Sequence, residues 1–340
     1  MRHFSRMIFS VKSRALHVLI LISRNDNVSS QDTLFTNGEQ SMAITAAMVK
    51  ELREATQAGM MECKKALTEC DGDMKKAMEY LQIKGLAKAA KRGARKTSEG
   101  VIGVYRTDDG KGVALVEVNC ETDFVARTDN FKNFCNALAR DIYEANPAAD
   151  ANLLELNCNG ETVEVKRGNL SASTGENIRI GRFCRATVEK GAVVAYRHHD
   201  LKGAVCVTLS CDNDATASTD AFKDFAAELI LHVFSANPLA ISSDEIDPAI
   251  VADQKNVFVQ KAAESGKPEA MLDRIATGML NKWYAEVALL KQIWQCDDSK
   301  ELVEQKLAKC AKAVNDNIKI TGMTRIVIGE GAVQEEEAAE

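Results

Sequence analysis

From Thr45 to about Arg95 the apolar residues recur at helical spacing in three short runs. Thr45 is placed to cap the first, whose face carries Met48, Leu52 and Ala55, while Cys63, Ala66 and Leu67 line the second. After the turn Asp71-Gly72-Asp73, a third run carries Met74, Ala77, Met78 and Leu81. Three such helices predict a compact module of about fifty residues, marginal in size for a core of its own. The basic stretch KAAKRGARKTSEG follows, with Lys88, Lys91, Arg92, Arg95 and Lys96, and reads as a linker.

The pattern then changes from period 3.6 to strands, and it does so twice. Residues 100–147 align without gaps on residues 191–238, at an offset of 91, and 19 of the 48 positions are identical. Unrelated segments would match at only a few positions, so the two stretches are copies of one structural unit. Each copy reads as strand, tight turn, strand, loop, helix. The first turn falls at Asp108-Asp109-Gly110-Lys111-Gly112. Thr128 or Thr219 caps the helix, followed by Asp129 or Asp220 in its first turn. Phe131, Phe134, Leu138 and Ile142 form its apolar stripe, echoed by Phe222, Phe225, Leu229 and Val233, and Asn146-Pro147 or Asn237-Pro238 stops it. The expected class is α+β: a three-helix module, then duplicated core subdomains in which small antiparallel sheets pack on helices.

Beyond the second copy the helical period returns. PAIVADQKNVFVQKAAESG and PEAMLDRIATGMLNKWYAEVALL, joined at Ser265-Gly266-Lys267-Pro268, predict a projecting helical hairpin over about 248–290. A further helix, SKELVEQKLAKCAKAV, leads to the strand TRIVIGEG and an acidic tail at 332–340. The domain boundaries read from these changes are 42–97, 98–180 and 181–331. Residues 1–41 differ from the rest, with Arg2, Arg6, Lys12, Arg14 and Arg24, no acid before Asp26, and the short apolar run ALHVLILI. A mitochondrial-type presequence, a secretory signal and an extension upstream of the true start compete for this segment, and Met42 serves as the working start. Cytoplasmic action is expected, with a mitochondrial location as the alternative.

Composition narrows the function. A net charge of −6 argues against a general nucleic-acid binder, whose affinity comes from neutralised phosphates. Nothing implies a membrane protein. The ten cysteines fall at strand and helix positions without CxxC pairs or zinc spacing, and read as reduced core residues. GKG at Gly110–Gly112 is a hairpin turn and SGKP lacks the other residues of a P-loop, so no nucleotide cofactor is expected. His198-His199-Asp200 suggests a metal site or a proton relay, yet the repeat places it in a hairpin turn where consecutive side chains would alternate in direction. A surface hairpin with no metal is the favoured reading.

The repeat also separates what the fold needs from what it does not. Tyr105 and Tyr196, Gly112 and Gly203, Cys120 and Cys211, and the Phe pairs occur in both copies. Asp123 matches Asp214, which allows a role in capping the loop. Phe124, however, faces Ala215, and Arg127 faces Ser218. A buried Phe replaced by Ala would usually cost ~3–5 kcal/mol, so the aromatic is not a requirement of the shared fold. Met60 and Met61 are adjacent on a helix and cannot both point squarely into a three-helix core. One is expected in the core, the other as a surface methionine or an adaptable partner anchor.

MVKELREATQAGMMECKKAL, CETDFVARTDNF, TGENIRIGR, ESGKPE and RIVIGEG, in that order from Met42 to about Gly331, resemble the translation elongation factor Ts family, guanine-nucleotide exchange factors for the GTPase elongation factor Tu. The resemblance implies an N-terminal module similar to a ubiquitin-associated domain and a non-enzymatic role in speeding GDP release. It implies that the partner-binding loop Thr122, Asp123, Phe124, Val125, Ala126 and Arg127 disturbs the partner's magnesium and phosphates. Gly59, Met60, Met61 and Lys64 would contact the GTPase from the N-terminal helix, and His198 from the second core hairpin. It also implies assembly with elongation factor Tu, with a homodimer or a heterotetramer as possible forms, and no direct contact with nucleic acid. Gln57, Glu62 and Arg127 depart from the family pattern while keeping size or charge, and His199-Asp200 stands where a Gly-containing turn is common. Two rivals remain: a ubiquitin-associated-like interaction protein without exchange activity, and an enzyme using a Cys or the His198-His199 pair.

Overall fold

The computed structural model describes residues 44–330, except Gln57 and Lys267. The 1–41 extension, Met42, the departure at Gln57, Lys267 of the ESGKPE turn, Gly331 and the acidic tail lie outside the described residues. Helices α1 (Ala46–Thr56), α2 (Met60–Glu69) and α3 (Met74–Arg92) form the N-terminal module. Thr45 caps α1 by accepting from the Met48 N–H, and Asp73 caps α3 by accepting from Lys76. The module core holds Leu52, Cys63, Ala66, Leu67 and Ala77. Val49 is also part of it, whereas Ala55 is exposed and Met48 only partly buried.

The stretch read as a basic linker is helical for its first turn. α3 runs on to Arg92 because it packs on a helix for which the hydrophobic pattern assigns no element, Val163–Thr174. Small residues permit the approach: a Cβ on Gly85 would touch that of Ala172 at 3.4 Å, and one on Gly168 would meet Leu86 at 2.7 Å. The Arg92 guanidinium donates to the Ser171 carbonyl, and Asn177 Nδ2 donates to the Gly93 and Arg95 carbonyls. The helical module is thereby fastened to the core.

The first core half comprises β1 (Glu99–Arg106), β2 (Gly112–Cys120), α4 (Asp123–Ala126), α5 (Asp129–Ala145), the two-residue strands β3 (Asn157–Cys158) and β4 (Glu161–Thr162), α6 (Val163–Thr174) and β5 (Arg179–Thr187). The second has β6 (Gly191–Arg197), β7 (Gly203–Cys211), a 3₁₀ turn (Asp214–Ser218), α7 (Asp220–Ala236), α8 (Pro248–Glu264), α9 (Glu269–Val287), α10 (Val303–Val314) and β8 (Ile318–Val327). The sheets are antiparallel with orders β1-β2-β5 and β6-β7-β8. β5 spans the boundary drawn after residue 180, and its pairing of Gly112 with Thr187 carries the first sheet past that point. α8 and α9 form a helical hairpin with its own small core of Phe258, Ala276 and Leu280. No helix among the described residues is long and apolar enough to cross a membrane.

The second strand and the long helix of the two copies match to the residue. β2 and β7, and α5 and α7, begin and end 91 positions apart, and both helices have threonine caps and end in left-handed asparagines, Asn146 (φ 48) and Asn237 (φ 45). One face of each sheet packs on its helix; the other faces the opposite sheet through Ile102, Val113, Leu115, Val193, Cys206 and Ile326. β2, covered on both faces, is buried at all nine positions. One pair of glycines shared by the copies sits under equivalent aromatics: a Cβ on Gly112 would lie 2.1 Å from the Tyr143 hydroxyl, and one on Gly203 2.8 Å from the Phe234 ring. Gly112→Ala and Gly203→Ala should each destabilise the protein by ~1–3 kcal/mol in urea unfolding, since the aromatic must leave its rotamer.

Candidate functional site

After Cys120 ends β2, Asp123–Ala126 fold as one helical turn. Thr122 is its N-cap, with backbone extended at φ −128 and ψ 154 and its hydroxyl accepting from the Val125 N–H. Val125 packs on the first core and Ala126 is buried. At about 100° per residue the opposite side of so short a turn must face outward. Phe124 lies there, 80% exposed.

Asp123 does not cap this turn, contrary to the role its match with Asp214 allowed. Its carboxylate pairs with Arg127 at 3.0 Å, one turn along. The capping positions are instead Thr122 and its counterpart Asn213, which accepts from the Ala215 N–H.

A residue the sequence reading passed over holds the turn in place. The Glu176 carboxylate accepts from the N–H groups of Glu121 (3.0 Å) and Thr122 (3.1 Å) and from the Thr122 hydroxyl (2.5 Å). In return, Glu121 accepts from the Asn177 N–H at 2.6 Å and from Arg95. The second copy has the same clamp from a different source, with Asp316 accepting from the Asn213 N–H and the Thr216 hydroxyl. The Thr216 hydroxyl, then burial in opposition, then backbone N–H groups set the Asp316 carboxyl below its ordinary range. Both carboxylates lie outside the duplicated segments, so comparing the copies could not reveal them. The signal for Glu176 was the TGEN stretch.

His198, His199 and Asp200 form the turn between β6 and β7, as the repeat predicted. Their side chains do not alternate, because Leu201 N–H to His198 O closes a tight turn with Leu201 at φ 65. His198 Nδ1 lies 3.1 Å from Asp200, and its ring stacks on Phe234 with centroids 5.4 Å apart. Among the described residues no cluster of three or more His, Cys, Asp or Glu could hold a metal ion. The structure brings this turn and the Phe124 turn together: a cavity of about 430 Å³ is lined by Asp123 and Arg127 on one side and His199, Asp200 and Lys202 on the other. His198 itself is not among the lining residues and stacks on Phe234 instead.

Gly59 caps α2 with extended backbone, and neither methionine enters the core. Cys63, Ala66 and Leu67 fill it, leaving Met60 at the margin of that face, 50% exposed, and Met61 opposite it, 75% exposed; Lys64 is also exposed. Placing one methionine inside was therefore mistaken. Nearby, Glu62 is paired with Lys88 of α3.

Among the cysteines, the sulfurs of Cys184 and Cys206 lie 3.6 Å apart, and their hydrogen bond lowers the Cys184 thiol below its ordinary range. Burial foremost pushes the thiols of Cys120 and Cys211 up, to about 12 and about 11, and raises that of Cys135 further. All ten are free, but Cys296 is exposed, so the reading of every cysteine as core fails there.

What the molecule presents is an α+β scaffold of duplicated halves, with a clamped aromatic turn at their junction and a methionine pair on a separate helix. Residues 121–330 match the family model described as elongation factor TS. The elongation factor Ts of Nitratidesulfovibrio vulgaris is 41% identical over 298 residues, covering 87% of this chain and all of that protein. Those of Clostridium kluyveri and Aromatoleum aromaticum are 40% and 43% identical, covering 86% and 85% of this chain and 95% and 92% of their own lengths. The chain belongs to the elongation factor Ts family, a family of translation elongation factors.

Glu176→Ala should leave two backbone donors without their acceptor and cost ~1–2 kcal/mol. Amide hydrogen exchange should locate the loss at residues 121 and 122 while the second copy stays protected.

Proposed function

We propose that the protein is the guanine-nucleotide exchange factor of elongation factor Tu, acting by binding alone and performing no covalent chemistry. The observation that carries this reading is Phe124, an exposed apolar ring on a turn whose backbone is held by Glu176. A rigid mount matters because a wedge that gave way on contact would not displace its target. The family resemblance supports elongation factor Tu as partner, and the bacterial origin of the named relatives supports cytoplasmic action.

Exchange of this kind needs no catalytic acid or base. The partner's magnesium demands near-octahedral oxygen geometry and holds the GDP phosphates, so small shifts of its surroundings loosen the nucleotide. By linkage, factor and GDP weaken one another equally. A ~10⁴-fold weakening corresponds to about 5.5 kcal/mol, while one buried Phe supplies ~1.5–3 kcal/mol. Further anchors are therefore required. Met60 and Met61 on α2 and Ile250, Val257 and Met271 of the α8–α9 hairpin are among the exposed apolar side chains that offer them, with His198 in the turn beside the Phe124 site.

The test is release of fluorescent GDP from elongation factor Tu, stimulated by the full chain. Phe124→Ala should slow it about tenfold or more, the equivalent of losing ~1.5–3 kcal/mol, with the melting temperature almost unchanged. Normal release together with earlier unfolding would return Phe124 to the core and reject the reading.

A further inference from the structure

The two halves are joined by matched contacts, and one pair of them is broken in an informative way. Each hairpin turn accepts from the first strand of the other half: Val193 N–H to Gly110 O at 2.9 Å, and Ile102 N–H to Leu201 O at 2.8 Å. Each turn then projects a lysine, Lys111 or its counterpart Lys202, whose own N–H is held by Asp109 or Asp200 at 2.9 Å in both copies. Lys111 reaches the helical turn of the second half and pairs with Asp214 at 2.8 Å. The equivalent pair would be Lys202 with Asp123. Instead Lys202 pairs with Glu99 at 2.6 Å and Asp123 with Arg127 at 3.0 Å.

Two differences between the copies account for this. Where the first has Arg127 the second has Ser218, so no arginine one turn along competes with Lys111 for Asp214. Where the first has Glu99 the second has Lys190, which cannot draw a lysine away. Lys202 and Asp123 nevertheless line the same cavity. The Lys202 ammonium is raised above its ordinary range by Glu99 first, with Asp200 and Asp123 adding their fields.

We propose that Lys202 is a positioning residue for the Phe124 turn, taking Asp123 from Arg127 when the turn enters the partner's nucleotide site. This rests on the exchange reading above. A carboxylate carried toward bound phosphates is repelled unless it is paired, and Arg127, 80% exposed in its side chain, is the cation those phosphates attract. Transfer of Asp123 to Lys202 keeps the carboxylate neutralised and frees Arg127 to face the anion. The rewired pair thus adopts the arrangement that the second copy shows between Lys111 and Asp214.

Stimulated GDP release, measured at saturating and sub-saturating factor, tests this. Lys202→Met should lower the maximal rate about fivefold with little change in half-saturating concentration, Lys202→Arg should restore it, and Asp123→Asn with Lys202→Met should be no slower than Asp123→Asn alone. Glu99→Gln, which removes the competitor for Lys202, should not slow release; loss in both Glu99→Gln and Lys202→Met would mean that the Lys202–Glu99 pair merely supports the fold. Multiplicative effects of the Asp123 and Lys202 changes, with Phe124→Ala still slow, would overturn the positioning role alone. Normal release by Phe124→Ala would overturn the exchange reading itself.

Discussion

The crossed hydrogen bonds between the halves, Gly110 O with Val193 N–H and Leu201 O with Ile102 N–H, are the constraint on which the rest of the structure depends. They lock each hairpin turn to the first strand of the other sheet and so fix how the sheets face. Around them the inter-sheet cluster closes over Ile102, Leu115, Val193 and Cys206. A buried peptide group left unpaired there would be expensive, so the two halves cannot slide on one another without losing bonds as well as packing. The second-half turn therefore stands beside the Phe124 turn.

Duplication gave both copies the same structural role. Both have the capped turn, the carboxylate clamp and the threonine-capped helix, but only the first adds an exposed aromatic and an arginine. The additions sit on side chains that face outward, so they place no demand on the core. The clamp is supplied by Glu176 in one half and Asp316 in the other, from unrelated positions in the chain. What is common to them is the need of the turn's leading N–H groups for an acceptor.

The helical module shows the same separation of support from display. α2 turns Cys63, Ala66 and Leu67 inward and leaves Met60 and Met61 outside, while α3 extends past the module to pack on α6. A surface on a module fastened to the core by a packed helix keeps its position better than one on a flexible linker. The basic stretch from Lys88 is partly helix because α3 packs there on α6.

Local rules sufficed for much of this. The helix caps Thr45, Thr128 and Thr219, the asparagine stops, the hairpin turns and the apolar stripes are set by neighbouring residues, and the 91-residue offset disclosed the duplicated unit. Comparing the copies also marked Phe124 as dispensable to the fold. Tertiary structure decided the rest. α6 has too few apolar positions to announce itself and forms against α3; β5 joins the first sheet through pairing with β2. Glu176 meets the turn from 54 residues away, and Lys202 faces Asp123 across the junction. Met61 is exposed because it lies opposite the Cys63, Ala66 and Leu67 face of α2, and Met60 because it lies at the margin of that face. Interactions within a few residues leave a period in the chain, whereas those that aim and hold the site join residues brought together only by folding.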